Sequence, residues 1–153
     1  PLAAVAAGLE SFSGVKGRLQ RRAGKLGAEI LDDTYNANPD SVRAGIDVLA
    51  STIGRKLLIL GDMGEIGEAS GQYHDEIGGY AKSQGIDRLF ALGDAAQLAV
   101  RNFGEGARHF CDIEKLIAAV NKQLDPETTV LVKGSRFMKM ERVADAIVGE
   151  EEN

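Results

Sequence analysis

Short apolar runs alternate with apolar stripes at helical spacing along most of this chain. Residues 25–33 (KLGAEILDD) read as a strand that stops at two acids. Asn38 and Pro39 then open a helix, with an N-cap amide ahead of a ring-locked first position. Val42, Ile46, Leu49, Ala50 and Ile53 supply its buried stripe, and Gly54 ends it. Residues 56–61 (KLLILG) are apolar without alternation, the mark of a strand covered on both faces. Tyr73, Ile77, Tyr80 and Ala81 mark a second helix, stopped by Gly85. His74 lies one position off that stripe and is predicted at the surface. Another covered strand (88–93, RLFALG), a helix (95–103) and a short strand (108–111, RHFC) follow. Asp112 caps a helix with the stripe Ile113, Leu116, Ile117, Val120 and Leu124. Residues 129–133 (TVLVK) form the last strand, and Met140, Val143, Ala144 and Ile147 line the last helix.

This alternation predicts an α/β fold: a Rossmann-like, open, mostly parallel twisted sheet of about six strands, with helices on both faces and right-handed crossovers. The start of the chain departs from the rhythm. Leu2, Val5, Ala6, Leu9 and Phe12 read as a helix, and residues 17–24 as a strand that turns tightly at Gly24 and Lys25 into the next. The expected division is a linker or tail of a preceding domain over 1–16, the α/β domain over 17–149, and an acidic tail over 150–153.

Composition narrows the function. A chain of 153 residues can bury a core unaided, and no apolar run approaches the ~20 residues of a membrane span. With 23 acidic against 18 basic residues, a nucleic-acid surface is not expected. One cysteine and two histidines (Cys111, His74, His109) exclude a disulfide framework and a Cys/His zinc cluster, and Cys111 reads as a core thiol. The expectation is a soluble cytoplasmic monomer. The chain begins at Pro1 rather than Met, as a piece of a longer protein would.

Ligands of open parallel sheets bind beyond the carboxyl ends of the strands. Three polar clusters fall there: Asp32 and Asp33 with residues 34–39, Asp62 with Glu65, and Lys133 with Ser135 and Arg136. Each also has a plain structural reading. Asp32, Asp33 and Asn36 suit Asx-turns, and Asn38 a helix cap. The GxxGxxG spacing over 61–67 carries acids that repel phosphate. Arg18, Arg21 and Arg22 suit a basic strand face paired with carboxylates. Lys133, Ser135 and Arg136 combine two cations, a hydroxyl and backbone amides, which suits a carboxylate or a phosphate. GxxxxGK[ST] is absent from the sequence, so the chain has no phosphate-transfer loop of its own.

Four strings then occur in order: GRL (17–19), DDTYNANPDS (32–41), LGDMGE (60–65) and VKGSR (132–136), followed by Met140 and Glu141. Together they resemble the C-terminal domain of the Mur ligases, over residues 15–148. The resemblance implies a three-domain enzyme that uses ATP and magnesium to form an amide bond through an acyl phosphate, most of the magnesium ligands coming from the central domain. It implies UDP-N-acetylmuramoyl-tripeptide and D-alanyl-D-alanine as substrates, and the N-terminal and central domains as partners. By the same resemblance, residues 1–14 look like the last helix of the central domain. By position, Arg18 is expected near the ATP phosphates and Asp33 at the ribose, with Asn36 and Asn38 in the same nucleotide loop. Lys133, Ser135 and Arg136 are expected at the amino substrate, with Met140 as an apolar wall and Asp62 and Glu65 near its ammonium group. The isolated chain is expected to be inactive. Two rival readings are a phospho-acceptor receiver domain, which also places acids and a Lys at strand ends, and a nucleotide-binding module without catalysis.

Overall fold

The computed structural model describes residues 14–64 and 66–149. The order is β1 (Gln20–Ala23), β2 (Glu29–Asp33), α1 (Pro39–Ala50), β3 (Arg55–Gly61), α2 (Ser70–Ser83), β4 (Arg88–Leu92), α3 (Ala96–Phe103), β5 (Ala107–Phe110), α4 (Ile113–Asn121), β6 (Thr128–Lys133) and α5 (Glu141–Ile147). The six strands form one sheet in the order β1-β2-β6-β3-β4-β5. β1 pairs antiparallel with β2, and every other pairing is parallel. The Rossmann-like architecture predicted from the alternation is thus the observed one.

Each strand sends alternate side chains to opposite faces, and the helices divide accordingly. Leu31, Leu58, Leu60, Leu89 and Leu131 meet Val42, Ile46 and Leu49 of α1, Ile77 and Ala81 of α2, and Ala99 and Phe103 of α3. Ile30, Ile59, Phe90, Val130 and Val132 meet Leu116 and Val120 of α4 and Val143, Ala144 and Ile147 of α5. β6 is flanked by β2 and β3. Its chain exit leads to α5 on one face, whereas theirs lead to α1 and α2 on the other. The carboxyl ends of β2, β6 and β3 therefore frame a crevice.

Several expectations change. The strand predicted over 25–33 begins only at Glu29, because Lys25–Gly27 form a 3-10 turn in which Leu26 adopts a left-handed backbone, φ 58°. The stripe of α1 stops at Leu49: the helix ends at Ala50, and Ile53 is 58% exposed beyond it. Cys111 is exposed rather than a core thiol, since β5 ends at Phe110 and the thiol falls just past it. The helix predicted over Leu2–Phe12, Glu65 and the acidic tail lie outside the described residues. Among the described residues no helix is long and apolar enough to cross a membrane.

Candidate functional site

The register brings the three polar clusters together. Asp33 lies opposite Lys133 on β6, and Lys133 lies opposite Leu60 on β3. Asp32 and Asp33 point to opposite faces. Asp32 is fully buried and pairs with Arg22 at 2.9 Å, accepting also from the Thr34 hydroxyl at 2.7 Å. Arg22 further reaches Asp145 on α5, and Arg21 pairs with Glu29. Arg21 and Arg22 thus pair with carboxylates as expected, but from opposite faces of β1 rather than from one basic face, and Thr34 N donates to Asp32 Oδ1 in the Asx-turn expected there.

Asp33 faces α1 and joins two loops. Its Oδ2 lies 2.9 Å from Lys133 Nζ, and its Oδ1 accepts from Leu19 N at 3.0 Å. The same ammonium donates to Asn36 O at 3.0 Å. Lys133 is only 1% exposed, so its charge is neutralised and hydrogen-bonded where it sits. Ser135, 4% exposed, links three loops. Its N donates to Asp62 O at 3.1 Å, its Oγ accepts from Gly64 N, and its hydroxyl lies 3.5 Å from Ala37 O.

One loop further back, His74 is fully buried, not at the surface as its spacing suggested. Its Nδ1 lies 2.7 Å from Ser70 O, so Nδ1 carries the proton and donates. Nε2 is then the acceptor for Met63 N at 2.9 Å. This neutral ring moors the loop whose next residue, Gly64, meets Ser135. Its position off the stripe is explained by that polar duty.

The rim above these groups is exposed and cationic. The Arg18 guanidinium lies 3.9 Å from the centre of the Tyr35 ring, and that of Arg136 5.5 Å from it. Tyr35 N donates to Gly17 O at 2.7 Å, which ties the Arg18 loop to the β2–α1 loop. Arg136 also approaches Glu141 at 3.8 Å. Phe137 is 63% exposed beside it, and its ring occupies the space a side chain on Gly64 would need.

Other expected site residues have local duties. Asn38 caps α1 and forms a capping box with Ser41. The Asn36 side chain accepts from Ala37 N at 2.9 Å. Asp62 is engaged at the start of α3, where its carboxylate accepts from Ala96 N at 2.8 Å and Ala95 N at 3.3 Å. Gly93, at φ 114°, leaves room for that carboxylate, which any Cβ there would strike. Met140 is not an apolar wall of the crevice but a fully buried core residue, its sulfur seated against Gly61 and its stem against Gly134. The acid cluster of a receiver domain is not assembled, since Asp32 and Asp62 are turned to Arg22 and to α3. Sequence reasoning passed over Tyr35 and placed His74 at the surface; the chance to find Tyr35 lay in an aromatic residue between the acids and the amides of one strand exit.

Fold and site together define a doubly wound α/β domain with an exposed cationic rim at its topological switch. The match to the Mur ligase, glutamate ligase domain, family covers residues 17–136, and the chain belongs to that family. The UDP-N-acetylmuramoyl-tripeptide–D-alanyl-D-alanine ligase of Escherichia coli K12 is 38% identical over 151 residues, which cover 95% of this chain and 32% of that protein. The crystal structure of MurF ligase from Thermotoga maritima in complex with ADP superposes with a TM-score of 0.78 at 29% identity, covering 88% of this chain and 31% of that one. MurF from Acinetobacter baumannii superposes with the same score at 34% identity, covering 92% and 32%. The chain spans about a third of the length of these relatives.

Proposed function

We propose that residues 17–149 are the closing domain of an ATP-dependent amide ligase that joins D-alanyl-D-alanine to UDP-N-acetylmuramoyl-tripeptide in the bacterial cytoplasm. Residues 1–16 lead into it from a central domain that carries the phosphate loop. The observation that carries this reading is the convergence of Arg18 and Arg136 on Tyr35, above the Asp33–Lys133 pair, in a chain of this family.

Each residue then has a physical task. Arg18, exposed and always charged, stabilises negative charge on the nucleotide phosphates during phosphoryl transfer. Asp33 uses one lone pair on Leu19 N and one on Lys133, which leaves acceptor capacity for ribose hydroxyls. Arg136 takes the dipeptide carboxylate through two parallel N–H donors. Lys133 and Ser135 hold the loops that present these groups, and Asn36 and Asn38 shape the nucleotide loop. Closure of the domain excludes water that would hydrolyse the acyl phosphate. Among the described residues no three His, Cys, Asp or Glu side chains are grouped to hold a metal ion. No magnesium ligand is assigned to this chain.

The test uses the full-length ligase and measures ADP release with and without D-alanyl-D-alanine. Release that depends on both the dipeptide and the UDP-linked tripeptide is expected. Arg18→Ala should lower kcat, and Arg136→Ala should mainly raise the KM for the dipeptide. ATP turnover by the 153-residue chain alone, or the reverse pattern in the two variants, overturns the assignment.

A further inference from the structure

A second concave region lies at the far edge of the sheet. β5 is the outermost strand there, three positions from β6, or about 14 Å at the usual strand spacing. A cavity of about 510 Å³ runs between β5 and α4. Arg108, Lys115 and Lys122 line it, over a floor formed by Phe110, Ala118 and Ala119.

The groove gathers three cations on one side of an acidic molecule. The chain has a net charge of −5. Arg21, Arg22, Arg43, Arg55 and Arg136 each have a carboxylate within 4.0 Å. Among the described residues Arg108, Lys115 and Lys122 have none. Asp112, the acid lining the cavity, spends Oδ1 on Glu114 N at 2.8 Å to cap α4. The Arg108 guanidinium is held over Phe110 at 4.7 Å and near Phe90 at 6.0 Å. Stacking restricts the side chain while leaving its in-plane N–H donors for a ligand, so part of the ordering cost of binding is met beforehand. Lys115 lies in the first turn of α4 and Lys122 caps its C-terminal end, seven residues or about two helical turns further on. Three like charges around one concavity repel each other, and an anion relieves that repulsion. The volume suits a small molecule.

We infer that this groove binds an organic phosphate, with the oxyanion held by Arg108, Lys115 and Lys122 and an apolar portion resting on Phe110, Ala118 and Ala119. The site is separate from the crevice at β2, β6 and β3, and its occupancy does not depend on the ligase reading.

The test is a ¹⁵N NMR titration of the 153-residue chain with phenyl phosphate and, in parallel, inorganic pyrophosphate. Saturable shifts are expected at Lys115, Ala118, Ala119, Lys122 and the Arg108 side chain, with Kd of about 1 mM and a tighter fit for phenyl phosphate. Arg108→Gln and, as a second variant at the exposed helix end, Lys122→Gln should each weaken binding by about threefold to tenfold, while Arg18→Ala leaves it unchanged. Shifts that never saturate, that spread over all surface lysines, or that survive in both Gln variants overturn the proposal. Shifts confined to Arg18 and Arg136 overturn it too, while leaving the ligase assignment standing. Displacement of phenyl phosphate by a tetraglutamate peptide of higher affinity would replace the small molecule with an acidic polypeptide.

Discussion

The crevice at β2, β6 and β3 has two layers built on opposite principles. In the lower one, Asp33, Lys133, Ser135 and His74 are enclosed, and every charged or polar tip named above has a protein partner. In the upper one, Arg18, Tyr35, Arg136 and Phe137 stand in solvent and touch mainly one another. The contrast teaches that a conspicuous charge at a strand end need not be a ligand-binding charge. Burial converts Lys133 into a strut, whereas exposure keeps Arg136 available. Removing a group from the lower layer should cost stability first, and removing one from the upper layer should cost binding alone.

The largest expected effect comes from Lys133→Ala. It leaves the Asp33 carboxylate without its cation and the Asn36 carbonyl without its donor, and should destabilise the chain by about 3 kcal/mol in urea denaturation. Unchanged stability would erase the distinction between the layers. Next, His74→Leu orphans the buried Met63 N–H and should cost about 2 kcal/mol. His74→Gln restores an acceptor and should recover part of that, with amide exchange at Met63 reporting whether the bond returns. Asn38→Ala removes the α1 cap and should cost about 1 kcal/mol, a value that marks ordinary helix energetics rather than site chemistry. Smallest of all, Arg136→Ala should move stability by no more than about 0.5 kcal/mol. A loss as large as that of Lys133→Ala would place Arg136 in the lower layer.

Much of this architecture was legible in the chain. Unbroken apolar runs such as 56–61 announced covered strands, and Asn38 with Pro39 announced α1, because both signals are local. The strand ends also disclosed where polar chemistry gathers. What the pattern could not convey was pairing. His74 reads as a surface residue until Met63 and Ser70 are seen to satisfy both ring nitrogens. Asp62 reads as a cleft acid until α3 arrives to claim it. Met140 reads as a wall until Gly61 and Gly134 make room for it below. Tyr35 acquires meaning only when two arginines, 118 positions apart in sequence, reach its ring. Local periodicity carries no record of such distant partners.

The place of β6 has a consequence for how the molecule comes into being. This strand is the last of the six in sequence, yet it is inserted between β2 and β3. Until residues 128–133 arrive, the first half of the chain holds two strands with a vacant lane between them. Filling that lane closes loops of roughly a hundred and roughly seventy residues, the kind of long-range pairing that slows folding. The crevice and the sheet are thus completed in one late event, and a chain truncated before Thr128 should retain helices without acquiring either.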